Sequence, residues 1–146
     1  LREGATILTD TQMARSGINK AALAKVGGEA LCFMSDPDVA QAAKEKGTTR
    51  ATACMDKAAA LGGNLIIAVG NAPTALVRLH QLMEEGKIAP RLIIGVPVGF
   101  VNVVESKELI LSSSVPFIVA RGRKGGSNVA AAICNALLYL ATGRAL

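Results

Sequence analysis

Three short stretches of this chain concentrate the residue types that can hold an anion. In Gly70-Asn71-Ala72-Pro73-Thr74, a glycine and an amide side chain precede a proline that fixes the approach to a helix. The first N–H groups of that helix have no partner within it and can meet a carboxylate or phosphate. A plain Asn-capped strand-to-helix turn would have the same spacing. In Arg121-Gly122-Arg123-Lys124-Gly125-Gly126-Ser127, guanidinium groups stand beside a Gly-rich helix start, which also favours an anion. A solvated basic turn would read alike, and the order is neither that of a P-loop nor the GxGxxG of a dinucleotide fold. Gly47-Thr48-Thr49-Arg50 leaves Arg50 near a helix N-terminus, where the dipole disfavours a cation unless an anion binds nearby. An exposed arginine with no role is the alternative.

The remaining reactive side chains are less suggestive. His80 is the single histidine, and its ordinary pKa lies near physiological pH. It stands about two turns into the helix after Thr74, beyond the strand-end crevice, and reads as a helix-flank residue. Glu105-Ser106-Lys107 offers a carboxylate, a hydroxyl and an amine, but consecutive helical positions point in different directions. Cys32, Cys54 and Cys134 lie far apart in apolar or small-residue stretches and read as buried free thiols of a reducing cytoplasm. Neither a disulfide framework nor a metal site follows from them, and no Ser/His/Asp or Cys/His constellation can be assembled.

The elements that would position these stretches are legible as short apolar runs with helical segments between them, the signature of successive βαβ units and a parallel sheet. Ala5–Thr9, Leu65–Val69, Leu92–Val96 and Pro116–Val119 are apolar on consecutive positions, as expected where helices cover both faces; Ala30–Phe33 is a weaker fifth. Asp36 and Pro37 open a helix that Gly47 closes. Thr48 or Thr49 caps another, through Ala51–Ala60, that meets Gly62-Gly63. The helix after Pro73 presents Leu76, Leu79, Leu82 and Met83 on one face and ends near Gly86. A shorter one covers Glu105–Leu111, and an Ala-rich one runs from Ser127 to about Leu140. In such a sheet the functional crevice lies outside the carboxyl ends of the strands. Asp10 to Met13, Ser35-Asp36, Gly70 to Thr74, Pro97 to Phe100 and Arg121 to Ser127 all fall there.

With 146 residues, 51% of them hydrophobic, the chain is expected to be one domain over residues 1–146 with a substantial core. Aromatic residues are only 3%, so that core must be built from Ala, Val, Ile and Leu. No apolar stretch reaches the ~18 residues of a membrane span, and the opening residues are not a signal peptide. The expectation is a cytoplasmic protein with no membrane partner. A net charge of +5 favours an anionic partner. Apart from Arg121, Arg123 and Lys124 the basic residues are scattered, and no aromatics interleave with them, which argues against nucleic acid; a small polyanion explains the charge at least as well.

Together, Val69–Leu76, Gly95–Val101 with Glu105-Ser106-Lys107, and Arg121–Ser127 resemble the precorrin-8X methylmutases, including the cobalt-precorrin-8 enzymes of the anaerobic pathway. Ser35-Asp36-Pro37 and Gly47–Arg50 match in the same order, so the resemblance runs from Gly4 to Leu138. It implies an isomerase that moves a methyl group from C11 to C12 of the corrin macrocycle, giving hydrogenobyrinate or cobyrinate. It further implies an α/β fold, a three-layer α/β/α sandwich with a mainly parallel sheet of about five strands, and a homodimer with active sites at the interface. The anionic corrinoid carries several acetate and propionate carboxylates. The rearrangement is intramolecular and takes no cofactor or metal; protonation of a ring nitrogen promotes it.

In the family that acid is a histidine in a helical segment upstream of the first strand, in a motif reading roughly Arg-x-x-His. Leu1 in place of Met leads to the expectation that this chain begins inside a longer one, without that segment. His80 does not match the motif, so no catalytic residue is carried over. The resemblance assigns Arg50 most firmly to substrate binding, together with Thr49. Asn71, Thr74 and Arg121 follow as matching positions, and Asp10 and Met13 as looser ones. Little or no turnover is expected of the 146 residues alone, and a non-catalytic corrinoid-binding protein is the alternative.

Overall fold

The computed structural model describes residues 1–143. All five apolar runs are strands: β1 (Thr6–Thr9), β2 (Glu29–Cys32), β3 (Leu65–Val69), β4 (Leu92–Gly95) and β5 (Phe117–Val119). They form one sheet in the order β2-β1-β3-β4-β5, parallel throughout. The weak fifth run is therefore a true strand, at one edge. Its pattern was faint because β2 has an exposed Glu29 and a half-buried Leu31.

The helices are α1 (Gln12–Gly17), α2 (Lys20–Lys25), α3 (Pro37–Lys46), α4 (Arg50–Leu61), α5 (Pro73–Glu84), α6 (Val103–Leu111) and α7 (Ser127–Thr142). Leu8, Ile67, Val69 and Ile93 point from the sheet into a core shared with α3, α4, α5 and α6. Ile7, Ile66, Ala68, Ile94 and Val96 point the other way, to α1, α2 and α7. The result is a three-layer α/β/α arrangement in which the alternation of strand side chains feeds two separate cores. Both are built from aliphatic residues and alanines, so helices can sit close on the sheet.

The pair α1 and α2 has no counterpart in the sequence reading. Each is six residues long, too short for an apolar period to register. Their starts carry the usual signals: the Thr11 side chain accepts from the Ala14 N–H at 3.0 Å and Asn19 from Ala22 at 3.0 Å. At α3 the expected cap is modified. Asp36 occupies the N-cap position without a capping hydrogen bond, because its carboxylate accepts instead from Lys57 Nζ on α4 at 2.7 Å. The opening of α6 also moves upstream of Glu105, to Val103.

Candidate functional site

The order β2-β1-β3 makes the chain leave β1 and β3 in opposite directions, and this fork is where open α/β sheets receive ligands. Here it is filled from within. Asp10, directly after β1, is 1% exposed. One carboxylate oxygen accepts from the Gly70 N–H at 2.8 Å, and the other accepts from Asn71 at 2.8 Å and Ala72 at 2.7 Å. Burial pushes the Asp10 carboxyl above its ordinary value, while the N–H groups of Gly70, Ala72 and Asn71 pull it back.

The turn before α5 thus holds an anion as its composition suggested, but the anion is the protein's own. An Asn-capped turn is not what forms. The N-cap is Ala72, without a side-chain bond, and Asn71 is left exposed.

The other strand-end loops close on this fork. Thr11 Oγ1 and Ser127 Oγ share a hydrogen bond at 2.8 Å, linking β1 to the start of α7. A Cβ on Gly70 would lie 2.7 Å from both the Gly126 carbonyl oxygen and Ser127 Cα, so α7 can approach only because no side chain is there. A Cβ on Gly125 would overlap the Val96 carbonyl oxygen. Gly126 N–H donates to that oxygen at 2.8 Å, and Gly99 N–H to the Arg123 carbonyl at 3.1 Å. The loops after β4 and β5 are therefore one connected surface.

A hydroxyl pair lies on the α4 and α5 side. Thr49 caps α4, accepting from Thr52 N–H at 3.1 Å, and its Oγ1 is 3.2 Å from Thr74 Oγ1. Arg50 follows at the first position of α4, exposed, with no ion pair among the described residues. No acidic residue lies in that first turn, so nothing local offsets the repulsion between guanidinium and helix dipole. Beside the pair is a shallow cavity of about 250 Å³ lined by Thr52, Thr74, Val77, Arg78, Gln81 and Asn102.

Of the residues singled out from sequence, the structure brings together Thr49 with Thr74, and Asp10 with the backbone of Asn71. Met13 is separate, 71% exposed on α1. Arg121 is engaged elsewhere, donating to Glu108 Oε1 at 2.8 Å, and Arg123 rather than Arg121 faces the β4 loop, 5.9 Å from the Phe100 ring centroid. His80 lies along α5 with its Nε2 3.6 Å from Glu84 Oε1. The three cysteines are free and buried; burial pushes Cys32 up and Cys54 and Cys134 up to about 12. Among the described residues no group of three or more His, Cys, Asp or Glu could hold a metal ion.

Sequence reasoning named the Lys107 amine but set it aside as a candidate; in the structure it is fully buried and donates to the carbonyls of Ala120, Gly122 and Lys124 at 2.6, 2.7 and 2.9 Å. A signal was present: Val103, Ser106, Lys107 and Ile110 are the buried residues of α6, and their spacing defines one face of a helix.

The comparisons with known proteins concern nearly the whole chain. The precorrin-8X methylmutase family model matches residues 1–140. The cobalt-precorrin-8 methylmutase of Salmonella typhimurium is 53% identical over 142 residues, 95% of this chain. That of Priestia megaterium is 48% identical over 141 residues, 97% of this chain. The chain spans 65% and 63% of the length of these two relatives. The solved precorrin-8X methylmutase of Thermus thermophilus superposes with a TM-score of 0.86 at 39% identity, over 97% of this chain and 69% of that one.

Proposed function

The chain belongs to the precorrin-8X methylmutase family, and from that membership we propose that residues 1–146 form the corrinoid-binding body of an isomerase of cobalamin biosynthesis. The reaction is migration of a methyl group from C11 to C12 of precorrin-8X or cobalt-precorrin-8, giving hydrogenobyrinate or cobyrinate. One observation carries the reading beyond membership: Arg50, exposed and without an ion pair among the described residues, directly follows Thr49, whose hydroxyl meets that of Thr74 at the start of α5, after the loop that follows β3. A macrocycle edged with carboxylates supplies the anion that this helix start lacks.

The migrating group never leaves the substrate, so the chain's own contribution is to bind, orient and exclude water. Arg50, Thr49, Thr74 and Asn71 take carboxylates on one side. Met13 and Phe100 offer apolar surface, being 71% and 83% exposed. Arg121 joins by exchanging Glu108 for a substrate carboxylate. Asp10 acts from beneath as a positioning group, fixing the backbone from Gly70 to Ala72 that carries Asn71.

No proton donor is assigned among the described residues. Asp10 has both oxygens occupied, and His80 lies on the flank of α5. The same observation favours a second reading for these residues by themselves, a protein that holds a corrinoid without rearranging it.

A homodimer with the crevice at its interface accords with the exposure of Val98, Phe100 and Val101 on the loop between β4 and α6. Three free buried thiols accord with the cytoplasm. No helix among the described residues is long and apolar enough to cross a membrane.

Titration of the chain with hydrogenobyrinate, followed by visible absorbance, tests the reading. Saturable binding is expected, weakened about tenfold or more by Arg50→Ala, the loss of one charge-assisted contact. Precorrin-8X itself should be bound but turned over little or not at all by these residues alone. Absence of saturable corrinoid binding, or an Arg50→Ala variant that binds as tightly as the wild type, would overturn it.

A further inference from the structure

Among the described residues Lys107 is the one fully buried cation, and no carboxylate pairs with it. Its ammonium spends its three protons on three carbonyls of a single loop, those of Ala120, Gly122 and Lys124. Burial of an ammonium is costly unless every proton is bonded. Burial lowers the Lys107 pKa, whereas the three carbonyls oppose that by requiring the charged form, since a neutral amine has only two N–H bonds to give. A methionine would fill the same space at no electrostatic cost. What it cannot do is turn three carbonyls of the β5–α7 loop inward, toward α6.

That loop is the support of its neighbour. The Arg123 carbonyl accepts from Gly99, and Gly126 donates to the Val96 carbonyl. The exposed surface of both loops carries Phe100, Arg121, Arg123 and Lys124.

We propose that Lys107 is a positioning residue for the corrinoid pocket, an internal ammonium tether that locks the loop of residues 120–124 to α6 and, through it, holds the loop after β4. The inference rests on the reading of these strand ends as the corrinoid pocket. Lys107 touches no substrate. It fixes the backbone on which the pocket's basic and aromatic side chains stand.

The test uses Lys107→Ala, with hydrogen exchange at the Gly99 and Gly126 amides and titration with hydrogenobyrinate as readouts. Propylammonium, which supplies the three missing methylenes and the charge, is then added, with 1-propanol as the neutral control. Exchange at both amides is expected to accelerate at least about tenfold and the hydrogenobyrinate Kd to rise by about the same factor, the scale of one charge-assisted hydrogen bond. Propylammonium should restore both; 1-propanol should restore neither.

Should Lys107→Ala not fold, Lys107→Met keeps the buried stem, removes only the charge, and is expected to give the same two losses. Unchanged exchange in a folded variant, or equal rescue by 1-propanol, overturns the tether. Exchange that behaves as expected in a wild-type chain indifferent to hydrogenobyrinate overturns the functional reading instead, and with it the assignment of the tether to a corrinoid pocket.

Discussion

Asp10→Asn is the most informative single change in this fold, because it keeps shape and removes one acceptor. In the wild type the two oxygens serve three N–H groups, one on Gly70 and two on Asn71 and Ala72. An amide can serve only one of the two sets. The less costly orientation keeps its oxygen on Asn71 and Ala72 and turns the NH₂ against the Gly70 N–H. One buried N–H is then unsatisfied, at about 1–3 kcal/mol, and two charge-assisted bonds become neutral ones. Relief of the buried charge offsets the weakening of those two bonds, leaving the unsatisfied N–H as the net loss, about 1–3 kcal/mol, or roughly 3–10 °C in Tm for a domain of this size.

Urea and thermal melts by circular dichroism measure that loss. Acid adds a sign. Because the folded-state pKa of Asp10 lies above its ordinary value of 3.8, the stability contributed by its proton is fully present below that value. It is lost as the pH rises through the raised folded-state pKa. The variant lacks this proton, so the gap between wild type and variant widens on acidification, while other titrating groups cancel in the difference. A variant within about 0.5 kcal/mol of wild type at neutral pH would refute the bonding argument. A gap that narrows in acid would refute the dominance of burial over the three N–H bonds.

Three further outcomes are expected. Gly125→Ala, whose new methyl would overlap the Val96 carbonyl, should cost about 2–4 kcal/mol in urea melts and speed hydrogen exchange at Gly126, whose bond to Val96 it breaks. Cys54 and Cys134, pushed up to about 12, have roughly one thiolate in 10⁵ at pH 7. A thiol reagent should therefore leave both unmodified in the folded protein and react with all three cysteines in guanidinium. Phe100→Ser, at a side chain 83% exposed, should shift stability by less than about 0.5 kcal/mol. In sedimentation experiments the same change should weaken self-association.

Much of the layered fold could be read from consecutive apolar residues, because a parallel strand buried on both faces writes its position directly into the chain. Leu65–Val69 is the clearest case, buried at all five positions. Local signals also located the starts of α3, α4 and α5. The pair α1 and α2 escaped because a six-residue helix makes too few turns to repeat a pattern.

The site was legible as loops but not as bonds. Asp10 meets Gly70 across 60 residues, a pairing that no local spacing encodes, and that pairing decides that the anion seat before α5 is already taken. Arg50 was flagged by a local electrostatic conflict, and in the structure the conflict persists with no ion-pair partner among the described residues. Lys107 lay on a readable buried face of α6, but its carbonyl partners belong to a loop 13 to 17 residues away.

The central place of β1 bears on how the chain is made. Although first in sequence, it lies between β2 and β3, with Thr6 in register with Glu29 on one side and Leu65 on the other. A ribosome therefore releases a strand that stays open along one edge until Val69 has emerged, and β4 and β5 can only be added outward after that. Closure across so long a loop is slow compared with local helix formation. Until β3 covers it, the open edge of β1 is a segment of this chain exposed to mispairing during synthesis.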